Sequence, residues 1–312
     1  MPSPFRMQKS HLYSVYFAPR GSARMVELGM QIAQLYLSPF DNLIGLVGEA
    51  GSGKSMLIKG MFPGLELTND DGGVNIRPLP ILNDDTPTFY NAHTYHIDAH
   101  FEIAFTQPFE IAEAVQRAVA GGKRVVIEHY DLLYPFLHTN AHLLIGIGEE
   151  VIITRPTLFG PEPEDIKKLV FRSFYHRRQA HTAEDICEFC LEEQGITERD
   201  FEHSDVRHGF ILSFEREVRI DFDALEKRID WHIKNGTPVS YCDDSHVYIG
   251  ETRHHCTGPR VHVSSAAELA GFRLMKQLFP DPTTGRYLLV GLLGENAGAR
   301  ISELNRFTYE GL

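Results

Sequence analysis

The chain has 312 residues, of which 30 are Lys or Arg and 42 are Asp or Glu, so its formal net charge is −12. This acidic balance argues against broad, non-specific binding to nucleic acid, which needs a basic surface. No apolar run approaches the ~20 residues of a membrane span, and the first residues lack the apolar segment of a signal peptide. The four cysteines do not suggest a disulfide scaffold. We therefore expect a cytoplasmic protein with reduced cysteines and no membrane partner.

The first predicted elements flank a glycine-rich segment. Residues 11–17 are typical of a strand, and residues 22–37 are typical of an amphipathic helix. Residues 42–47 form an apolar run that indicates a buried parallel strand. Residues 55–62 carry apolar side chains at helical spacing. A strand and a helix are therefore predicted on either side of residues 48–55.

The glycine-rich segment matches a phosphate-binding loop. Residues 48–55 read Gly-Glu-Ala-Gly-Ser-Gly-Lys-Ser, a full match to the pattern G-x-x-x-x-G-K-[ST]. Glycines let the backbone curl so that successive N–H groups point at phosphate oxygens, and the next helix adds the positive end of its dipole. Lys54 can reach the β- and γ-phosphates, and the Ser55 hydroxyl can bind magnesium. The predicted nucleotide-binding residues are Gly48, Glu49, Ala50, Gly51, Ser52, Gly53, Lys54 and Ser55.

Acidic residues at predicted strand ends are candidates for the carboxylates that phosphoryl chemistry requires. Residues 123–128 combine basic residues, an apolar run and Glu128, which is the shape of a Walker B strand. Asp98 ends the preceding predicted strand, and Asp131 is a further candidate. The alternative is that Glu128 only caps a strand end. The predicted catalytic residues are Lys54, Glu128 and Asp98.

Two other features of the first half have both a functional and a structural interpretation. Residues 65–88 are rich in Asp, Asn, Pro and Gly, which predicts a long loop over the nucleotide mouth with a short strand at residues 74–76. The acidic residues of this loop either assist metal binding or are simply solvated. Four histidines near the predicted strand ends have either a substrate or metal role or a structural one. These histidines are His93, His96, His100 and His129.

Strands and helices alternate through the first half, which predicts a three-layer α/β sandwich with a parallel sheet. A last strand at residues 151–156 and a linker at residues 161–163 close a domain of residues 1–164. The order of phosphate loop, Asp98 strand and Glu128 strand resembles the nucleoside and nucleotide kinase branch of P-loop proteins. That resemblance implies that basic lid residues clamp the transferring phosphate. The candidates, which could equally form a solvated helix face, are Arg172, Arg177 and Arg178.

The second half carries two histidine-containing motifs. Residues 181–187 read His-Thr-Ala-Glu-Asp-Ile-Cys, and residues 254–263 read His-His-Cys-Thr-Gly-Pro-Arg-Val-His-Val. Together, with a strand and helix predicted between them, they resemble the second additional domain of alanyl-tRNA synthetase, which also occurs in free-standing alanyl-tRNA editing proteins. The resemblance covers roughly residues 165–300. It implies an α+β editing-type domain at residues 165–312, with an amino acid or aminoacyl group as ligand.

The same resemblance implies a zinc site. In the family, two histidines one helical turn apart and a later cysteine and histidine hold the ion, because residues i and i+4 share one helix face. Here Asp185 stands where the second histidine is expected, and Cys256 lies two residues before the expected cysteine position. Either a bulge lets Cys256 reach the metal or that ligand is lost, with His254 and His255 close enough in sequence to replace it. The predicted zinc ligands are His181, Asp185, Cys256 and His262, and the alternative is a degenerate site that binds no ion.

Two further features of the second half are interpreted structurally. Cys187 and Cys190 lie one turn apart on a predicted helix with no second C-x-x-C motif, so core positions are favoured over a zinc site. Residues 285–294 are predicted to form a strand that is either part of the core or a pairing edge.

Three functions remain open from sequence. The first is a P-loop protein that binds ATP with Mg²⁺ and acts as an ATP hydrolase or phosphotransferase, coupled to an editing-like module; the absence of a guanine signature disfavours GTP. The second is a zinc-dependent aminoacyl-tRNA deacylase, although the acidic balance disfavours a tRNA partner. The third is a non-catalytic nucleotide-dependent sensor of a small molecule.

Overall fold

The computed structural model describes residues 13–67, 79–83, 93–269 and 271–304. The chain divides into two compact units. The first contains the chain up to Ala18 together with Ala23–Ser173, and the second contains Pro19–Ser22 and everything from Phe174 onward. The division therefore falls after Ser173 rather than after residue 164, and a short N-terminal segment belongs to the second unit. The strand expected at residues 74–76 lies outside the described residues.

The first unit is built on one mixed sheet with helices on both faces. Its strands are β1 (Tyr13–Phe17), β2 (Leu43–Gly48), β3 (Thr94–Asp98), β4 (Arg124–Glu128), β5 (Leu143–Ile147) and β6 (Glu150–Thr154). Its helices are α1 (Ser22–Tyr36), α2 (Lys54–Met61), α3 (Ala99–Glu102), α4 (Pro108–Ala120), α5 (Tyr130–Leu133) and the start of α6 (Pro163–Glu192). The segment interpreted as a linker is thus partly helical, because α6 begins at Pro163.

The strand order in this sheet is β1-β6-β5-β2-β4-β3. β3, β4, β2 and β5 run parallel to one another, whereas β6 pairs antiparallel with both β5 and β1. The prediction of a parallel sheet is therefore wrong for this edge. The reason is the connection between β5 and β6, which consists of Gly148 and Glu149 alone, since so short a link permits only an antiparallel partner.

Apolar side chains fill the space on both faces of the sheet. On one face Val47 and Ile127 pack with Ile111 and Val115 of α4. On the other face Ile44, Leu46 and Val126 pack with residues of α1 and α2, including Met25, Ile32 and Leu57. Such continuous burial explains why β2 reads as an unbroken apolar run. It also fixes the carboxyl ends of β2 and β4 side by side.

The second unit combines the rest of α6 with a further helix and two antiparallel sheets. One sheet has the order β12-β14-β8-β7, with β13 also paired to β14, and the other has the order β11-β10-β9. The elements are β7 (Phe201–Val206), β8 (Gly209–Phe214), α7 (Phe222–Lys234), β9 (Val239–Asp243), β10 (His246–Ile249), β11 (Thr252–His255), β12 (Arg273–Leu274), β13 (Phe279–Pro280) and β14 (Tyr287–Leu292).

One apolar core holds the second unit together. Cys187 and Cys190 of α6 lie in it with Phe210 of β8 and Ile229 of α7, as expected for core cysteines. β14 pairs with β8 on one side and with β12 and β13 on the other, so it is an interior strand rather than an edge. Among the helices of the described residues, none combines the length and the apolar character that crossing a bilayer demands.

Candidate functional site

The glycine-rich segment forms the turn between β2 and α2. Gly51 and Gly53 have φ values of 78° and 97°, which are left-handed conformations that glycine adopts without steric cost. Gly48 approaches its neighbours closely, because a Cβ atom there would lie 2.7 Å from Ser52 Oγ and 2.8 Å from the Ile147 carbonyl oxygen. The three glycines therefore have conformational or packing reasons to be glycine, and they let the backbone curl tightly ahead of α2.

Lys54 is the first residue of α2 and is buried. Its ammonium group donates to the carbonyl oxygens of Gly48 and Glu49, at 3.2 and 2.9 Å. Both contacts are with the turn itself, so the charge is held within the loop. An anion that enters the loop would meet a lysine already in position.

Glu128 ends β4, and its carboxylate lies among polar partners. It is buried, His96 Nε2 lies 3.1 Å from its Oε1 atom, and the Ser55 hydroxyl donates a hydrogen bond to it. Burial raises the pKa of Glu128, but the hydrogen bond and charge of His96, the charge of Lys54 and the hydrogen bond from Ser55 together lower it below its usual value. Glu128 is therefore an anion beside the loop. The sequence predicts its place, whereas His96 is the partner that sequence reasoning left unassigned.

The other two acidic candidates have structural partners. Asp98 pairs in register with Glu128, and its carboxylate accepts from the Phe101 N–H at 3.2 Å and caps α3. Burial and the charge of Glu128 raise the pKa of Asp98. Asp131 forms a 2.8 Å ion pair with Lys167. Of the predicted carboxylates, Glu128 has the most direct relation to the loop.

Two of the unassigned histidines lie together beside this site. His129 follows Glu128 with φ of 54°, a left-handed conformation that is uncommon outside glycine, and its ring lies 5.3 Å from that of His100. Burial and the charge of Lys54 lower the pKa of His129 to about 4. His129 is thus a neutral, conformationally constrained imidazole near the predicted phosphate site.

The predicted lid arginines have different environments. Arg177 is only 2 % exposed and donates to the Pro19 carbonyl oxygen at 2.6 Å, so the interpretation as a solvated face is wrong for this residue. Arg178 donates through Nε to the His262 carbonyl oxygen at 2.7 Å. Arg172 is exposed. Arg177 and Arg178 thus help to order the second unit.

The structure brings together the four side chains predicted as zinc ligands. One donor atom from each lies within 4.8 Å of the others, and no residue of the four is more than 8 % exposed. Cys256 Sγ lies 3.3 Å from His181 Nε2 and 3.8 Å from His262 Nε2, and His262 Nε2 lies 2.9 Å from Asp185 Oδ2. His181 and Asp185 occupy successive turns of α6, while Cys256 follows β11 directly.

The bend between Cys256 and His262 explains how a displaced cysteine reaches the cluster. The Gly258 N–H donates to Cys256 Sγ at 3.3 Å, and the Gly258 carbonyl oxygen lies 3.2 Å from His181 Nε2. A Cβ atom on Gly258 would lie 2.1 Å from the Arg20 carbonyl oxygen and 3.0 Å from His181 Nε2. Glycine is therefore the residue that fits here, and the bulge alternative describes this loop.

Acceptors outside the cluster fix the orientation of both histidine rings. His181 Nδ1 lies 3.2 Å from Glu184 Oε2, and His262 Nδ1 lies 3.3 Å from the Pro259 carbonyl oxygen. Each Nδ1 faces an acceptor outside the cluster and each Nε2 faces the cluster, which is the orientation of an imidazole that donates from Nδ1 and binds a metal through Nε2. A carboxylate or carbonyl behind a ligating imidazole is the usual support of a metal-bound histidine. Glu184 was missed from sequence because nothing in the motif distinguishes it from a solvated glutamate.

The Asp185 carboxylate gives the four-residue cluster a net negative charge. Burial raises the pKa of Asp185, but His181 and His262 outweigh it and hold the pKa low, so this residue is an anion. Burial lowers the pKa of His181, whereas burial and the Asp185 carboxylate raise the pKa of the Cys256 thiol. Asp185 Oδ2 lies 2.9 Å from His262 Nε2, so a metal cation in the cluster could have this carboxylate and this imidazole as neighbouring ligands.

The alternative ligands lie elsewhere. His254 is buried with its ring 5.8 Å from that of Phe189, and His255 pairs with Glu198 at 2.6 Å. Neither belongs to the four-residue cluster. Arg20, which no sequence pattern singled out, forms a buried 3.2 Å ion pair with Glu184 and so supports the carboxylate that holds His181.

No protein-family model matches the chain, and no curated protein matches it.

Proposed function

We propose that the chain is a nucleoside triphosphate-binding protein whose first unit binds ATP with Mg²⁺ and hydrolyses it or transfers its γ-phosphoryl group. One observation carries this proposal: the Ser55 hydroxyl and the Glu128 carboxylate are hydrogen-bonded to each other directly behind a loop with the phosphate-binding pattern. A hydroxyl and a carboxylate so placed are the pair that holds magnesium in P-loop enzymes. The loop amides and Lys54 would hold the phosphates.

The chemistry of such a site is mainly positioning and charge neutralisation. Lys54 would exchange its two carbonyl partners for phosphate oxygens, and His96 would keep Glu128 oriented toward Ser55. Asp98 lies beside Glu128 in register and is the residue best placed to orient an attacking hydroxyl or water. Ser55 and Glu128 would hold Mg²⁺, which would offset part of the phosphate charge.

Calorimetry with ATP–Mg²⁺ tests this proposal on the full chain. Lys54→Ala should abolish the binding heat, because the charge that faces the phosphates is removed. Lys59→Ala is the matched control, since Lys59 is an exposed lysine of the same helix. If neither ATP nor GTP gives binding heat with the unaltered chain, the proposal is wrong.

We propose in addition that the second unit binds Zn²⁺ through His181, Asp185, Cys256 and His262. Donor atoms around a tetrahedral zinc lie about 3.3–3.6 Å apart, and the contacts of 2.9, 3.3 and 3.8 Å bracket that spacing. Imidazole, thiolate and carboxylate are all zinc donors. Binding would release the thiol proton of Cys256.

The same donor set supports a second candidate function, zinc-dependent hydrolysis of an aminoacyl ester. Zinc supplies a water of lowered pKa in such reactions, and this requires an open coordination position. Here four buried side chains converge, which favours a closed zinc that organises the unit. Release of the amino acid from aminoacyl-tRNA by the zinc-loaded chain, lost in Cys256→Ser, would favour the hydrolase. No release would leave the zinc with an organising role.

A further inference from the structure

A second group of side chains with metal-binding atoms lies in the second unit. It is on the other side of Glu184 from the cluster of His181, Asp185, Cys256 and His262. Its members are Glu184 and Glu188, one turn apart on α6, and His203 on β7. His203 Nδ1 lies 3.4 Å from Glu184 Oε1 and 3.3 Å from Glu188 Oε1. One donor atom from each residue lies within 4.8 Å of the other two. The three atoms therefore surround one small volume.

The single ring proton of His203 cannot satisfy this group while both carboxylates are ionised, so it needs either a cation or a proton on Glu188, whose pKa is raised by burial and by the neighbouring carboxylates. His203 Nδ1 carries at most one hydrogen, yet two carboxylate oxygens face it. Glu188 Oε1 is buried and, among the described residues, accepts no well-formed hydrogen bond, although His203 Nδ1 lies 3.3 Å away. A buried carboxylate oxygen in this position is costly unless a cation or a donor reaches it.

The two oxygens of the Glu184 carboxylate have different partners. Oε2 accepts from Arg20 and His181, while Oε1 faces His203. The carboxylate can therefore orient a zinc ligand with one oxygen and bind a cation with the other. His203 is partly exposed, with 22 % of its side chain accessible, which gives an ion and its water ligands a route to the group.

We propose that Glu184, Glu188 and His203 form a second cation site, which binds a divalent transition metal such as Zn²⁺ or Mn²⁺. Two carboxylate oxygens and one imidazole nitrogen, with no sulfur, are the donors that these cations accept. A cation there would satisfy Glu188 Oε1 and would replace the single proton that His203 shares between two carboxylates. The site does not depend on nucleotide binding by the first unit, nor on an ion at Cys256.

The test is a titration of the full chain with Co²⁺ after dialysis against a chelator. Elemental analysis then gives the number of ions bound per chain. The unaltered chain should bind about two ions, and Glu188→Gln and His203→Gln should each bind about one. The cobalt spectrum separates the sites, because only the ion bound by Cys256 shows thiolate charge transfer. Cys256→Ser should remove that band and leave the second ion. Glu164→Gln, an exposed glutamate in the first turn of the same helix, should still bind about two ions.

Each outcome bears on the proposal. Loss of one ion without loss of the thiolate band in Glu188→Gln and His203→Gln supports it. Retention of both ions in these variants overturns it, and so does a single ion that shows the thiolate band in the unaltered chain, since no cation would then lie between Glu184, Glu188 and His203. A single ion without that band, lost in Glu188→Gln, supports it. Circular dichroism and thermal unfolding of each variant show whether its fold is intact. His203→Gln serves if Glu188→Gln does not fold.

Discussion

At the scale of single residues, His129 is the residue other than glycine with a positive φ among the described residues of the first unit. Its φ is 54°, a conformation that a few per cent of non-glycine residues adopt, with Asn, Asp and His enriched among them. Strain of this kind costs on the order of 1–3 kcal/mol and concentrates at functional sites. The histidine sequence cluster was noticed, but its backbone conformation could not be predicted, because it follows from how β4 meets α5.

His129 predicts a pH dependence of stability. Its pKa falls from 6.5 to about 4 on folding, so between these values the unfolded chain holds a proton that the native chain does not. Its contribution is therefore constant above pH 6.5 and becomes progressively unfavourable as the pH falls toward 4. Asn tolerates the same backbone conformation, so His129→Asn should reduce the change in unfolding free energy between pH 6.5 and pH 4. Urea midpoints from pH 7 to pH 4 measure it, and parallel profiles for both chains would contradict the assignment.

Gly258 allows a prediction for the proposed zinc site of His181, Asp185, Cys256 and His262. In Gly258→Ala the new methyl group would meet the Arg20 carbonyl oxygen and the His181 ring. We expect a loss of about 1–3 kcal/mol in unfolding free energy, together with weaker zinc binding. Gly298→Ala is the control, because a Cβ atom there has open space. Urea unfolding and zinc competition with a chromophoric chelator provide the measurements, and equal behaviour of the two variants would refute the argument.

At the scale of elements, the contact between α1 and α2 positions the phosphate loop. A Cβ atom on Gly60 would lie 2.0 Å from the Val26 carbonyl oxygen, and one on Gly29 would lie 2.3 Å from that of Leu57. The two helices therefore touch backbone to backbone. Because α2 begins at Lys54, any shift of this helix moves the lysine and the loop amides with it.

Gly60→Ala should therefore weaken nucleotide binding although residue 60 is remote from the phosphates. The added methyl group must push α2 from α1, which should lower the unfolding free energy by about 1–3 kcal/mol. Gly121→Ala is a suitable control, since its nearest contacts would be 3.4 Å. Calorimetry with ATP–Mg²⁺ and thermal unfolding are the measurements. Unchanged affinity in Gly60→Ala would show that the helix contact does not control the loop.

Several elements could be predicted because their signals are local. β2, α2 and β4 follow from apolar runs and from apolar side chains at helical spacing. β5 was missed because a five-residue apolar segment with a glycine is equally typical of other buried structure. The start of α6 was missed because proline was interpreted as a linker residue, whereas proline in the first turn followed by Glu164 and Asp165 is a helix start.

The cluster of His181, Asp185, Cys256 and His262 shows how far sequence reasoning reaches. These four residues were expected from the resemblance to the editing domain of alanyl-tRNA synthetase, and the structure brings them together. Glu184, Arg20 and Pro259 could not be predicted, because their role depends on contacts between distant parts of the chain.

At the scale of the whole molecule, metal removal should affect the two units differently. All four proposed zinc donors belong to the second unit. At a free zinc concentration of 100 times the dissociation constant, binding contributes about 2.7 kcal/mol. Chelation should therefore increase amide hydrogen exchange in residues 174–269 and leave the sheet of the first unit unchanged. Hydrogen-exchange mass spectrometry with and without chelator checks this. Equal increases in both units would indicate a general loss of stability instead.

The short segment Pro19–Ser22 determines where the chain can be cut. It precedes α1 in sequence, yet it belongs to the second unit and supplies Arg20 to the buried pair with Glu184. An expression fragment that starts near residue 165 would lack this guanidinium, and an unmatched buried carboxylate typically costs about 3–5 kcal/mol. The second unit is therefore not contiguous in sequence. A truncated or fused version of it must include both of its segments, Pro19–Ser22 and the chain from Phe174 onward.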